Sequence, residues 1–339
     1  CSSDLQTAYA RNPTPEVAAS QFLSRGGLYF TGIGGQSRGV YDTPKRNLMP
    51  RIGFAYQADP KTVIRGGYGI FFGFLGQRRG DVIQSGFSRN TPFFATTDNL
   101  NFTGSLSNPF PNGVLEPLGA AQGTLTFVGQ GITFFDQQPV MPYMQRWQLS
   151  IQREIGQGFV VEGLYVGNRG NNVEMSQNLN VTPQQYLSTS PTRDNTRNNY
   201  LSANLPNPFL NLLPSGAIAG LTSTNIGRER LLRPYPHFDS VNHARFDGYS
   251  WYHSAQLQVE KRFSQGYTVM LNYTFSKFMQ ASELLNQDDL RPVEVISDAD
   301  RPHRLTISGI WELPFGRGKM FGGDLKGIAN GLIGGWQLS

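Results

Sequence analysis

Four aspartates, Asp288, Asp289, Asp298 and Asp300, fall in one short stretch. They have the best claim to chemistry in the chain, because a hard cation such as Ca²⁺ gathers several carboxylate oxygens. No loop spacing fixes them as ligands, so they stand as weak metal candidates beside the plainer reading of a solvated acidic loop. The four histidines, His237, His243, His253 and His303, lack the HExxH or paired-cysteine spacing of a zinc site. No G-x-S-x-G elbow offers a nucleophile. Glu154, Glu162 and Glu260 sit beside Arg153, Lys261 and Arg262, where salt bridges explain them better than acid–base catalysis. Gly32 to Ser37 faintly echoes a dinucleotide loop, but no helix pattern follows it. Arg65-Gly66-Gly67-Tyr68-Gly69 looks like a phosphate loop, yet it lies inside an alternating run, where glycine relieves crowding. The expectation is no enzyme, no cofactor and no identifiable substrate-binding residue.

The elements that carry these residues are strands. In Trp251 to Met279, Leu257, Val259, Leu271 and Tyr273 fall on one side and Gln256, Gln258, Asn272 and Thr274 on the other. Side chains that alternate with period two mark a strand, and Ser264-Gln265-Gly266 turns the chain between two such runs. Each arm has about a dozen residues, whereas a tilted strand needs about 9–11 to cross a bilayer. Three hairpins are read, over residues 50–72, 143–169 and 249–279, with a further strand over 303–313 and a truncated one from 336. Residues 1–46 form an irregular segment or loop entering the sheet, with a helical turn at Thr14–Ala19 and a short strand at Gly27–Gly32. A small hairpin is expected near Thr124 to Phe135.

Composition agrees with strands that face lipid on one side and water on the other. Charged residues make up 16% of the 339, against about 25% in a soluble domain, while hydrophobic residues reach only 38%. No run of 18 apolar residues suggests a membrane helix; the most apolar stretch, Gly69 to Leu75, is strand-sized. A net charge of +5 without a basic block disfavours nucleic acid. The lone cysteine, Cys1, excludes an internal disulfide framework and reads as the edge of a fragment.

A repeat supports the architecture. Leu149, Ile151, Ile155, Gly158, Phe159, Val161 and Tyr165 recur 108 residues later as Leu257, Val259, Phe263, Gly266, Tyr267, Val269 and Tyr273. Tight turns follow Tyr56, Ile155 and Phe263, and long loops follow Phe72, Arg169 and Met279. Short periplasmic turns alternating with long extracellular loops are the pattern of an outer-membrane barrel. The fold expected over 47–339 is therefore an all-β, antiparallel transmembrane barrel section of about seven or eight long strands, incomplete as a barrel, in contact with outer-membrane lipid.

Several motifs sharpen this. Asn47 to Tyr56, Arg65 to Gly69, Pro142 to Trp147 and Tyr165 to Gly170, followed by Arg233-Pro234-Tyr235-Pro236, Tyr273 to Lys277, Asp300 to Arg304 and Leu313 to Gly318, stand in an order and spacing that resemble the Oar-like TonB-dependent outer-membrane receptors. The resemblance implies a barrel of about 22 strands in a Gram-negative-type bacterium, an N-terminal plug, and energy from the TonB complex for uptake of an unidentified ligand. The 339 residues show no plug, TonB box or aromatic C-terminal residue. The alternatives are a structural or adhesive barrel without transport and a soluble carbohydrate-binding β-domain.

Overall fold

The computed structural model describes residues 2–22, 24–42, 44–73, 85–214 and 216–339; Cys1, Phe74 and Leu75 lie outside the described residues. The strands are β1 (Arg51–Asp59), β2 (Thr62–Phe72), β3 (Ile132–Phe135), β4 (Tyr143–Gly156), β5 (Phe159–Asn178), β6 (Asn204–Pro206) and β7 (Asn225–Gly227), then β8 (Val241–Ser264), β9 (Tyr267–Ala281), β10 (Val295–Ile296), β11 (His303–Glu312) and β12 (Gln337–Leu338). One path runs β1-β2-β4-β5-β8-β9-β11-β12, every neighbour antiparallel. β1 and β12 are its edges, and the barrel is not closed.

The turns follow from the sequence. Gln157 and Gly158 have φ of 52° and 80°, and Gln265 and Gly266 have 55° and 83°. Two successive positive φ values define the hairpin turn whose twist matches the strands it joins. The repeated Gln-Gly pair has therefore kept its backbone as well as its residues. At the first hairpin the Lys61 N–H donates to Asp59 Oδ1 at 2.8 Å, so an aspartate side chain closes the turn instead.

Cross-strand register aligns the faces in rows. Tyr56, Ile64, Ile151, Gly163, Leu257, Tyr273 and Leu305 form one row of the apolar face. Gln57, Val63, Gln152, Glu162, Gln258, Asn272 and Thr306 form a row of the opposite face. Apolar side chains remain uncovered, with Ile52 at 71%, Leu257 at 44% and Ile307 at 64% exposure. A soluble monomer rarely presents a contiguous apolar patch of this size to water.

Core packing lies instead at the loop end of the sheet. Helix α1 (Ser2–Ala10) places Leu5 and Tyr9 with Phe22, against Phe209, Leu221, Ile226 and Leu231 from the loop between β5 and β8. That loop also holds α2 (Asn195–Ser202), α3 (Ala219–Thr222), α4 (Arg228–Leu231) and the β6–β7 ribbon. A second cluster joins Val128, Ile132, Phe238 and Val241. A last helix, α5 (Gly327–Ile333), precedes β12.

Several expectations are corrected. The helix of the first segment is Ser2–Ala10 rather than a turn at Thr14–Ala19, and Gly27–Gly32 is not a strand. The region near Thr124 forms a 3-10 turn, Gly123–Leu125, and β3 pairs in parallel with β8 instead of closing a hairpin. The middle strands also outrun residues 143–169 and 249–279: β5 continues to Asn178 and β8 begins at Val241. Register shifts at Asn171/Val173 and Val173/Met175, with Asn172 at φ 55°, bend β5 where this extension begins.

Candidate functional site

Two surfaces compete for function: the polar face of the sheet and the folded unit at its loop end. On the polar face, the Arg65 Nη1 donates to Gln152 Oε1 at 2.9 Å across β2 and β4, and Gln256 Nε2 donates to Ser254 Oγ at 3.1 Å. Uncharged amides, hydroxyls and glycines dominate these rows, a chemistry that suits a hydrated wall. Acidic side chains keep to the turn end, where Glu154 and Glu260 share a row through Val160.

The expected wall salt bridges take other forms. Arg153 Nη1 approaches Asp59 at 3.6 Å and donates to Thr62 Oγ1 at 3.1 Å. Lys261, only 1% exposed, turns its Nζ back to Ser264 Oγ at 2.7 Å and lies 4.1 Å from the Tyr267 ring centroid. A lysine on the apolar face thus buries its stem and finds polar partners at the turn.

The opposite face carries a belt at the loop end. Tyr165 OH lies 2.8 Å from His253 Nδ1, Tyr273 OH 2.8 Å from His303 Nδ1, and Tyr68 OH donates to Gln145 Oε1 at 2.9 Å. Each is a diagonal pair between neighbouring strands. Phe159, Tyr267 and Trp311 stand at the turn end of the same face. From His253 to Phe263 the strand rises about 33 Å, which at the tilt of barrel strands projects to about 25 Å, the height of an outer-membrane apolar band.

The loop-end unit is held by asparagines acting as backbone substitutes. Asn180, fully buried, donates through Nδ2 to the Phe238 carbonyl at 2.8 Å and accepts from the Tyr235 N–H at 2.9 Å. Asn207 Nδ2 donates to the carbonyls of Leu221 and Ser223, and its Oδ1 accepts from the Phe209 N–H. Arg228 ties the first segment on: its Nη1 lies 3.7 Å from Glu16 and donates to Tyr200 OH at 3.0 Å, with the guanidinium 4.1 Å from that ring's centroid. His237 is 3% exposed, and burial pushes its imidazole down to about 4.

The weak metal candidates do not converge. Asp289 Oδ2 accepts from the Asn286 N–H, and Asp300 Oδ1 accepts from the Phe278 N–H. At Asp298 the backbone carbonyl accepts from Arg301 Nη1 at 2.9 Å. Asp288 lies beside Asp289 in the same connection between β9 and β10. Among the described residues, no group of three or more His, Cys, Asp or Glu side chains forms a cation cage. The asparagine hubs were missed by sequence reasoning; the signal was Asn spaced within Pro-rich runs, which reads equally as loop.

An apolar sheet face of bilayer height, a polar reverse and tight turns opposite long connections decide the class. The model of the outer membrane beta barrel domain family matches residues 4–339. The chain belongs to that family. As an outer membrane beta barrel domain it resides in the outer membrane, and its exposed apolar face is the surface suited to lipid. No match is found among curated proteins. Among solved structures, the chain is similar to the outer membrane transporter YddB from Escherichia coli, at 11% identity and a TM-score of 0.36, covering 78% of this chain and 26% of that one. It is also similar to the FrpB iron transporter from Neisseria meningitidis (F3-3 variant), at 10% identity and a TM-score of 0.31, covering 78% and 32%. This barrel domain thus spans about a quarter to a third of the proteins it matches.

Proposed function

We propose that this barrel domain is a section of the wall of an Oar-like TonB-dependent receptor that takes up an unidentified ligand. The observation that carries the reading is the separation of the two ends: Gln-Gly turns at one, and at the other a packed unit set above a polar inner wall. A ligand would meet the folded loops first and then a hydrated surface of amides and hydroxyls. In this reading the Gln157 and Gln265 turns face the periplasm, and the long loops face outward. A plug and the TonB complex would supply gating and energy, and no catalytic step is involved.

The test is to titrate the intact detergent-purified protein with the periplasmic domain of TonB. Saturable binding is expected. Its absence would leave the second reading, a structural or adhesive barrel, which the packed loop-end unit favours. The soluble carbohydrate-binding alternative is set aside by the family and by the uncovered apolar face.

A further inference from the structure

We propose that Arg51, Arg65 and Arg146 form an anion-accepting subsite on the inner wall, suited to a solute bearing carboxylate or phosphate groups. Arg51 and Arg146 share a row through Gly69, on the polar face of β1, β2 and β4. Two inter-strand spacings separate them, about 10 Å at the backbone, a gap that two long side chains can close onto one anion. Arg65 follows two rows nearer the turns on the same face. The Arg51 guanidinium lies 4.8 Å from the Phe71 ring centroid, which pre-positions it. Among the described residues, no carboxylate forms an ion pair with any of the three. The nearest acid along the Arg146 strand on this face is Glu154, eight residues away, about 26 Å.

Glycines supply the second observation. A groove of about 350 Å³ runs along Arg51, Gly67, Gly69, Phe71, Arg146 and Gln148. A Cβ on Gly69 would meet the Phe71 ring at 3.0 Å, so the ring that seats Arg51 accounts for that glycine, whereas one on Gly67 would come no closer than 3.6 Å to any neighbour. Nothing within this sheet therefore demands glycine at position 67. Glycine inside a strand marks a bulge, a tight bend, or close approach by a ligand or another backbone, and the register runs through Gly67 without a bulge. A bare strip flanked by the Arg51 and Arg146 guanidinium forks, neither of them neutralised by a carboxylate among the described residues, suits planar, charged oxygens, while Arg65 is held by Gln152 two rows below.

The subsite deepens the receptor reading and rests on it, so its test runs on the same intact, detergent-purified protein that is titrated with TonB. Citrate and inorganic pyrophosphate are titrated calorimetrically at low salt, with glucose as the neutral probe. Binding of both anions and not of glucose is expected, with R51Q/R146Q weakening it at least tenfold. Gly67→Phe should weaken it as much by filling the groove, while Arg262→Gln at the turn end leaves it unchanged. Heat-modifiable gel mobility checks that each variant is folded. No anion binding by the unaltered protein, including the case of a groove already filled by an acidic segment of the same protein, would overturn the subsite. An equal loss in R262Q would do so too, by reducing the effect to overall charge. TonB binding without anion binding would sink the subsite alone, and the converse would sink energy coupling alone.

Discussion

The wall and the loop-end unit use apolar residues in opposite ways. Leu257 and Ile307 on the wall stand 44% and 64% exposed, while Phe209 and Leu221 above it are fully buried. Burial stabilises the unit against water at roughly 25 cal/mol per Å². The wall gains nothing comparable within the chain, because its apolar partner is lipid. The same residue types therefore answer to two solvents, and substitution costs should split along that line.

The largest effect is expected inside the unit. Phe209→Ala removes a fully buried ring and should cost about 3–5 kcal/mol there. Limited proteolysis should then cut the 195–232 region while the wall keeps its heat-modifiable mobility. Loss of both together would show that the two regions are one cooperative body.

Acid should separate them next. His237 is held near 4 when folded, against 6.5 when free. Its contribution is therefore complete above pH 6.5 and is lost as pH falls from 6.5 towards 4. At about 1.4 kcal/mol per pH unit this amounts to roughly 3 kcal/mol. Protease sensitivity of the unit should rise across that window, and His237→Phe should flatten the rise.

The wall answers to a third change. Leu257→Arg should cost about 2–4 kcal/mol of barrel stability in the bilayer, and the neighbouring Gln258→Arg far less. Urea unfolding of the intact protein in liposomes measures both. The smallest effect returns to the unit. Asp194 caps α2 by accepting from the Arg197 N–H at 2.9 Å, so Asp194→Ala should cost about 1 kcal/mol and loosen only that helix.

This split also explains what the sequence made legible. The wall repeats a period of two against a uniform solvent, so Leu257/Gln258 and Leu271/Asn272 expose their faces without any tertiary knowledge. The Gln-Gly turns carry their own geometry. The unit has no such period: its core joins Leu5 and Tyr9 to Phe209 and Leu221, residues about two hundred positions apart. Asn180 and Asn207 order the chain through hydrogen bonds to backbone that only the folded loop brings near. The strand from Val241 was hidden because Asn242 to Gly248 alternates weakly and pairs with the bent end of β5. Among the candidate site residues, the aspartates were legible as a cluster in sequence and not as one in space. Arg51 and Arg146 became neighbours only once the register was known.

The most direct test is a single-cysteine scan of residues 256–259 in the intact protein in outer-membrane vesicles, with Cys1→Ser removing the one cysteine in these 339 residues. A fluorophore at each site is challenged with a water-soluble quencher and with brominated lipid. Positions 257 and 259 should respond to the lipid, and 256 and 258 to the aqueous quencher. Uniform quenching by either agent along all four positions would contradict a wall with one face in the bilayer and the other in the lumen.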